Sequence, residues 1–249
     1  MPVREWDGAS YDRISATMQA LGLDVLERLD LGGDERVLDA GCGSGRVTEA
    51  LIARLPRGHA IGLDESPSMI AAARERLGPD ADLRVGDLLE LVVEQPLDAI
   101  LSTATFHWIA DHERLFARLR AALRAGGRLV AQCGGEGNID VLRSQARRVY
   151  EREPYARWFE SFSPPWNYAS AESTRERLLA AGFREADCWL APAPSEPEQP
   201  REFLATIVLG PHVQQLPASL REPFMDEVMQ ELGEPVVVDY VRLNIDAVA

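Results

Sequence analysis

The sequence contains no lysine, and all 26 of its basic residues are arginine, against 40 aspartates and glutamates. The resulting formal charge of −14 opposes binding to a phosphate backbone, and no basic tract offsets it. Without lysine, the chain has no side-chain amine that could form a Schiff base or act as a nucleophile. Nucleic acid is therefore not expected as a substrate or partner.

Cysteine is scarce, and long apolar runs are absent. Cys42, Cys133 and Cys188 are odd in number and form no CxxC pair, so we expect reduced thiols, with neither a disulfide framework nor a metal site. No apolar run approaches the roughly 18 residues of a membrane span, and the N-terminal residues lack the apolar stretch of a signal peptide. We expect a cytoplasmic protein that does not bind membranes.

The chain has room for one large hydrophobic core. It has 249 residues, 46% of them hydrophobic, and no Gly/Ser-rich linker divides it. Strand and helix patterns alternate along its length, which predicts an α/β fold. One domain is therefore expected.

The strongest local signal is the segment VLDAGCGSGR at residues 37–46. An apolar strand end runs into Gly41, Gly43 and Gly45, and a helical pattern begins near Val47. Because glycine has no Cβ, such a turn lets a ligand approach the backbone, and the N–H groups of the next helix point towards it. The segment predicts a nucleotide site.

The spacing of the glycines argues against a dinucleotide. The third glycine of a dinucleotide fingerprint would fall one place later, at Arg46, whose side chain opposes close packing of helix on strand. Asp39, two residues before the first glycine, can meet a cationic amino-acid head group. Asp64 ends the apolar run at residues 60–63, where an acid suits a ribose diol.

These residues resemble the motifs of the class I S-adenosylmethionine-dependent methyltransferases. Residues 37–45 look like the first motif of that family, and Asp64 looks like the acid of the second. The resemblance implies a Rossmann-like α/β fold with a seven-stranded, mostly parallel sheet, an antiparallel last strand and helices on both faces. It also implies S-adenosylmethionine as cofactor, a small-molecule substrate, and a monomer or homodimer.

The cofactor contacts that the resemblance implies come from successive strand ends. Asp87, followed by Leu88, matches the third motif, in which the acid accepts a hydrogen bond from the adenine amine; Asp87 could instead be a helix cap. The expected cofactor-binding residues are Asp39, Ala40, Gly41, Cys42, Gly43, Gly45, Asp64, Glu65, Met69, Gly86, Asp87, Leu88 and Thr103.

The acceptor is expected beside the fourth strand, because ligands of open α/β sheets bind outside the carboxyl ends of strands. His107 and Trp108 follow that strand and resemble the His-Trp segment of small-molecule carboxyl methyltransferases, including the trans-aconitate methyltransferase group. The resemblance also places Tyr11 near the transferable methyl group, so the expected catalytic residues are His107, Tyr11 and Trp108. His107 could be a base, a hydrogen-bond donor or a packed core residue.

The expected domain, residues 1–249, carries two additions to the sheet. Residues 1–30 contain an N-terminal cap helix, and residues 138–175 form an insertion on the substrate side. Aromatic residues and prolines at 154–168 follow no period, and they either wall a pocket or plug the core. The expected substrate-binding residues are Gln19, Trp166, Tyr168 and Arg242.

The sequence thus predicts an S-adenosylmethionine-dependent methyltransferase that O-methylates a carboxylate or hydroxyl of a small organic molecule. A carboxylate is already an anion and needs no base, and aligning the two reactants can remove up to about 7–11 kcal/mol from the barrier. Two alternatives stay open: carbon or nitrogen methylation of a small metabolite, and a catalytically silent cofactor-binding partner protein.

Overall fold

The computed structural model describes residues 16–249, with side chains from residue 20 onwards. The strands are β1 (Arg36–Ala40), β2 (His59–Asp64), β3 (Asp82–Val85), β4 (Leu97–Thr103), β5 (Leu123–Gly134), β6 (Glu185–Pro192) and β7 (Val241–Val248). The helices are α1 (Ala16–Glu27), α2 (Arg46–Ala53), α3 (Pro67–Leu77), α4 (His112–Ala122), α5 (Asp140–Tyr150), α6 (Ala156–Phe159), α7 (Ala171–Ala180), α8 (Pro200–Phe203), α9 (Gly210–Gln215) and α10 (Ala218–Leu232).

The strands form one seven-stranded sheet in the order β3-β2-β1-β4-β5-β7-β6. The first five strands pair in parallel, and β7 pairs antiparallel to β5. The strand order reverses between β1 and β4, and ligands of such sheets bind at that point. The expected seven-stranded, mostly parallel fold with an antiparallel last strand is confirmed.

The central strands are apolar because helices cover both faces of the sheet. On one face, Leu26 of α1 and Leu51 of α2 pack with Leu101 of β4. On the other face, Ile100 of the same strand packs with Phe116 of α4. Neighbouring residues of β4 thus serve two separate apolar layers, as the two-residue period of a strand requires.

Two helix starts are set by side-chain caps that the sequence predicts. Ser66 accepts a hydrogen bond from the Met69 N–H at 3.4 Å, and Pro67 occupies the first position of α3. Asp111 accepts from the Arg114 N–H at 2.9 Å at the start of α4. Both caps satisfy backbone donors that a helix end leaves free.

The last strand is shorter than the sequence suggests. The pattern at residues 236–248 predicts one strand, but β7 begins only at Val241. Its partner β5 ends at Gly134, which pairs with Arg242, so earlier residues have no ladder to join. Val238 instead forms an isolated antiparallel bridge with Ser195.

A single helix predicted at residues 201–209 is also interrupted. Helix α8 ends at Phe203, and a π-helical segment, Leu204–Val208, follows. There the Leu209 N–H donates to the Leu204 carbonyl at 2.6 Å. Pro211 cannot donate a backbone hydrogen bond, so a regular helix cannot continue through it.

The described residues fall into two compact units. The first unit holds the sheet and runs to Glu136, then includes Asn167–Ala191 and Arg242–Ala249. The second unit comprises Gly137–Trp166 and Pro192–Val241, so the expected insertion at 138–175 is divided between the units. The single domain stays a prediction. None of the described helices is long and apolar enough to cross a membrane.

Removal of the Phe116 ring should destabilise the first unit strongly. Phe116 is 0% exposed and meets Phe106 edge to face at 6.0 Å between ring centres. We expect Phe116→Ala to lower the free energy of unfolding by about 3–5 kcal/mol, measured by urea denaturation. Val92→Ala is the matched control, because Val92 is 77% exposed and surface truncation costs about 0.5 kcal/mol or less. Equal losses in the two variants would contradict this packing.

Candidate active site

The turn between β1 and α2 has a backbone that only glycine adopts easily. Gly41, Gly43 and Gly45 have φ angles of 82°, 52° and 81°. A Cβ on Gly41 would lie 2.1 Å from Thr105 Oγ1, whereas no described atom lies within 4 Å of the Cβ position of Gly43. The turn is therefore packed at its start against Thr105, two residues after β4, and open in its middle, where a ligand can approach the backbone.

The Asp64 carboxylate holds the glycine turn to the end of β2. One oxygen accepts from the Gly43 N–H and the other from the Ser66 N–H, each at 2.9 Å. Each oxygen keeps lone-pair capacity for a ribose hydroxyl. Burial raises the pKa of the Asp64 carboxyl, and the two backbone donors oppose that rise. The expected ribose contact fits this arrangement and stays a prediction.

Asp39 is a buried acid whose two carboxylate oxygens differ in their hydrogen bonding. One carboxylate oxygen accepts from Thr48 Oγ1 at 2.7 Å, and among the described residues the other has no hydrogen-bond partner. Burial raises the pKa of Asp39 to about 6; the Thr48 bond opposes the shift, and the nearby Asp64 charge adds to it. A buried, half-satisfied carboxylate beside a glycine turn fits the ammonium group of an amino-acid cofactor.

The remaining acids line the edge formed by β2 and β3. Asp87 is exposed and accepts from the Leu89 N–H at 2.8 Å, so it caps the short 3₁₀ turn Leu88–Glu90. The cap alternative is thus present in the structure, while the adenine contact stays a prediction. Burial, then the charges of Asp87 and Asp64, raise the pKa of Glu65.

Three other expected cofactor residues lie at the same edge. Met69 and Leu88 are buried, with 4% and 5% exposure, and can offer apolar surface to an adenine ring. The Gly86 N–H donates to the Asp64 carbonyl at 2.9 Å, which ties the end of β3 to that of β2. Their contacts with the cofactor stay predictions.

The end of β4 and the residues after it are joined to the glycine turn by two hydroxyl groups. Ser102 Oγ donates to the Ala40 carbonyl at 2.7 Å, and Thr105 Oγ1 makes bonds of 3.3 and 3.0 Å to the carbonyls of Gly41 and Thr103. Between them, Ala104 has a φ of 55°. Such a backbone is costly outside glycine and occurs preferentially at functional sites.

His107 lies in a 3₁₀ turn, Phe106–Trp108, directly after this bend. It is 8% exposed, and its ring centre lies 5.0 Å from that of Trp108 and 5.8 Å from that of Tyr168. Its Nδ1 accepts the Gly134 N–H at 3.3 Å. Since a backbone N–H can only donate, the proton of the neutral ring must be on Nε2. In this tautomer Nε2 carries the only ring proton, and the catalytic role of His107 stays a prediction.

Two further residues fix this turn, and the sequence analysis did not assign either of them to the site. His112 donates from Nε2 to the Phe106 carbonyl at 2.9 Å, and burial lowers its pKa. The Asn167 N–H donates to the His107 carbonyl at 2.8 Å. The only local signal for Asn167 was its place in an irregular aromatic stretch, which does not specify a partner about 60 residues away.

Arg242 is a buried cation of β7, opposite the end of β5 that bonds to His107. It is 4% exposed, and in the antiparallel register it pairs with Gly134, the residue that bonds to His107. Its Nε donates to Gln132 Oε1 at 3.3 Å. The sequence-predicted His107, Trp108, Tyr168 and Arg242 therefore converge on the ends of β4 and β5.

Three predicted residues are not placed in this group. Trp166 belongs to the second unit, where its ring centre lies 5.8 Å from His212 and 5.7 Å from the Arg143 guanidinium. Tyr11 and the Gln19 side chain lie outside the described part of the structure. Their roles stay predictions.

Comparison with known proteins agrees with this geometry. Residues 37–127 match the family model described as a methyltransferase domain. Trans-aconitate 2-methyltransferase of Methylobacterium nodulans is 34% identical over 189 residues, covering 76% of this chain and 68% of the relative. The enzyme of that name from Acidovorax sp. strain JS42 is 30% identical over 239 residues, covering 93% and 90%.

A solved structure shows the same fold. Phosphoethanolamine N-methyltransferase 2 of Haemonchus contortus, in complex with phosphomonomethylethanolamine and S-adenosylhomocysteine, aligns with a TM-score of 0.64 at 20% identity. The alignment covers 97% of this chain and 56% of that longer protein. The chain belongs to the class I S-adenosylmethionine-dependent methyltransferases, in the group whose curated members are named trans-aconitate 2-methyltransferase. S-adenosylmethionine is its cofactor.

The raised pKa of Asp39 predicts how cofactor binding depends on pH. Because the free protein holds this proton up to about pH 6, a cationic head group must displace it below that pH. Affinity for S-adenosylmethionine should rise from pH 5 to pH 7, with proton release on binding, measured by calorimetry in buffers of different ionisation enthalpy. Asp39→Asn should weaken S-adenosylmethionine binding by about 1.5–3 kcal/mol at pH 7.5. It should also remove the part of the pH dependence of affinity that comes from ionisation of Asp39.

The raised pKa of Asp39 should also affect the stability of the protein in the absence of cofactor. A folded pKa of about 6 against an ordinary value of 3.8 means that ionisation of Asp39 destabilises the folded state as pH rises between those values. Asp39→Asn should lack that loss of stability, whereas Glu94→Gln, at an exposed acid, should behave as wild type. Wild-type pH dependence of both binding and stability in Asp39→Asn would contradict the assignment.

Proposed function

We propose that this enzyme transfers the methyl group of S-adenosylmethionine to a carboxylate oxygen of a small organic acid, and that trans-aconitate is the first acceptor to test. The observation that carries the proposal is the placement of a buried arginine, Arg242, and a neutral N–H donor, His107, on either side of Gly134. The names of the curated relatives support the choice of acid.

The charge of the acceptor explains why a buried arginine is useful here. The whole chain carries a formal charge of −14 and so repels anions at long range. A guanidinium remains protonated at all accessible pH values and forms paired hydrogen bonds with a carboxylate. Its attraction is stronger in a buried position, where the effective dielectric is low. Arg242 can therefore hold an acid that the surface does not attract.

The protonation state of His107 favours a carboxylate over a hydroxyl acceptor. Bound S-adenosylmethionine supplies a methyl group on a positively charged sulfur. A carboxylate oxygen would bond to the methyl carbon with a lone pair that it already has, while the carbon–sulfur bond breaks and the neutral thioether leaves. No proton would be transferred, and Nε2–H of His107 would hold the acid by donating to it. A hydroxyl would require a base, but the Nδ1 lone pair is already used by the Gly134 N–H.

Alignment and exclusion of water then account for catalysis without proton transfer. The apolar faces of Trp108 and Tyr168 flank the His107 ring, at ring-centre distances of 5.0 and 5.8 Å from it. They restrict how an acceptor can lie against the donor, and alignment is the main source of acceleration in such a displacement.

The direct test is a panel of acceptors assayed with the purified full chain. We expect a base-labile methyl ester from trans-aconitate or a related di- or tricarboxylic acid, and no product from phenols or amines. Arg242→Gln should raise the acceptor KM by roughly 10-fold or more, the loss of one charged hydrogen bond, without changing cofactor affinity. Arg184→Gln, at an exposed surface ion pair, is the matched control.

Other outcomes of this panel would favour the alternatives. Methylation of phenols or amines but not acids would overturn the carboxylate proposal. Tight S-adenosylmethionine binding with no turnover on any acceptor would instead support a silent cofactor-binding partner protein.

Two substitutions separate the roles open to His107. Glutamine can place its amide N–H near the position of Nε2, whereas asparagine reaches only the position of Nδ1. A neutral donor predicts that His107→Gln retains kcat/KM about 3- to 10-fold better than His107→Asn. A base would instead make wild-type kcat/KM rise through about pH 6.5, with loss of that rise in both variants. Full activity in both variants would identify His107 as a packing residue.

A further inference from the structure

We propose that Gln132 and Asn244 are positioning residues, which set the direction of the Arg242 guanidinium through a chain of hydrogen bonds that begins at Arg28. This inference rests on the proposed role of Arg242 as the anchor of an acceptor carboxylate. It concerns residues of β5 and β7 that contribute neither a motif nor a charge to the site.

The chain of bonds crosses two paired strands. Arg28 Nη1 donates to Asn244 Oδ1 at 2.6 Å, and Gln132 Nε2 donates to the same oxygen at 2.9 Å. Arg242 Nε then donates to Gln132 Oε1 at 3.3 Å. Gln132 and Asn244 pair directly in the antiparallel register, so their side chains share one face of the sheet. Arg242, two residues from Asn244, lies on that face as well.

The bonds have only one consistent direction. Because Asn244 Oδ1 accepts twice, its amide cannot turn without placing an NH₂ group against two donors. Gln132 must therefore present its NH₂ to Asn244, and this turns its oxygen to Arg242. The orientation of two neutral amides thus follows from the arginine at the far end.

Arg28 is held by several contacts, so it can act as the fixed end of this chain of hydrogen bonds. Its Nη2 lies 3.0 Å from each of three oxygens, the carbonyls of Ala131 and Ile245 and the carboxylate of Asp246. Its guanidinium also lies 5.1 Å from the ring centre of Trp189. Arg28 directly follows α1, so the end of that helix and Arg242 belong to one hydrogen-bonded chain.

The chemistry of the amides explains their use at this place. A carboxylate at position 132 would orient Arg242 equally well, but it would also neutralise the charge and compete with an anionic acceptor. An amide oxygen supplies direction without negative charge. Direction matters because paired hydrogen bonds to a carboxylate require the planar guanidinium in one plane.

The first test is kinetic. Gln132→Met, which keeps length but removes both bonds, should raise the acceptor KM by roughly 3- to 10-fold, with little change in kcat and none in S-adenosylmethionine affinity. Gln132→Glu should raise KM further, because its charge pairs with Arg242. Thr174→Val is the matched control: it loses a part-buried 2.8 Å bond to the Ser170 carbonyl at the start of α7, which is no part of the chain of bonds, and KM should stay unchanged.

The second test measures coupling. In an Arg242→Gln background, Gln132→Met should change KM by less than about 2-fold, since the residue that it positions is gone. Multiplicative effects would mean that Gln132 acts independently and would overturn the inference. If Arg242→Gln alone leaves KM unchanged, the proposed function fails; if it raises KM while the Gln132 variants do not, only the positioning role fails.

A third readout does not depend on turnover or on the acceptor. The Arg242 Nε–H is bonded to Gln132, so its hydrogen exchange, followed by ¹⁵N NMR of the holoprotein, should be slow in wild type. Exchange should accelerate in Gln132→Met and in Asn244→Leu, which interrupts the chain one step earlier. Unchanged exchange in both folded variants would overturn the proposed chain.

Discussion

The glycine turn depends on one carboxylate at the end of the neighbouring strand. A turn with three left-handed glycines has few side chains of its own, so contacts from neighbouring segments help to fix its shape. Asp64 does this by accepting from both Gly43 and Ser66, each at 2.9 Å. The same contact sets the first residues of α3 and ties β2 to the loop after β1. A single acid therefore links the glycine turn, the end of β2 and the start of α3.

Much of the fold could be predicted because its signals are local. The Ser66 and Asp111 caps and the glycine turn each depend on residues within a few positions, and the sequence shows them directly. The start of β7 could not be predicted, since it depends on where β5 ends, more than 100 residues earlier. The π-helical segment after α8 could not be predicted for a different reason. An apolar helical pattern in the sequence does not distinguish a π-helical turn from a regular one.

The residues of the candidate site also differ in whether their signals in the sequence are local. The glycines and acids are recognisable because their spacing along one chain segment is itself the motif. Thr105, Asn167 and Gln132 were not recognised, because each acts through a partner distant in sequence and belongs to a common residue type. The tautomer of His107 belongs to this class too, since it depends on the Gly134 N–H, 27 residues later.

Gln132 also has a second attachment, through its backbone. Its carbonyl accepts the Ala104 N–H at 2.7 Å, at the left-handed bend after β4, while its side chain meets Arg242. One residue thus contacts both the bend after β4 and Arg242, the residue that we propose as the anchor of the acceptor. For directed evolution of acceptor choice, the proposed role of Arg242 makes position 132 a poor site to randomise, because changes there would disturb the anchor proposed for every acid. Diversity is better introduced at Trp108 and Tyr168, which the proposal places beside the acceptor.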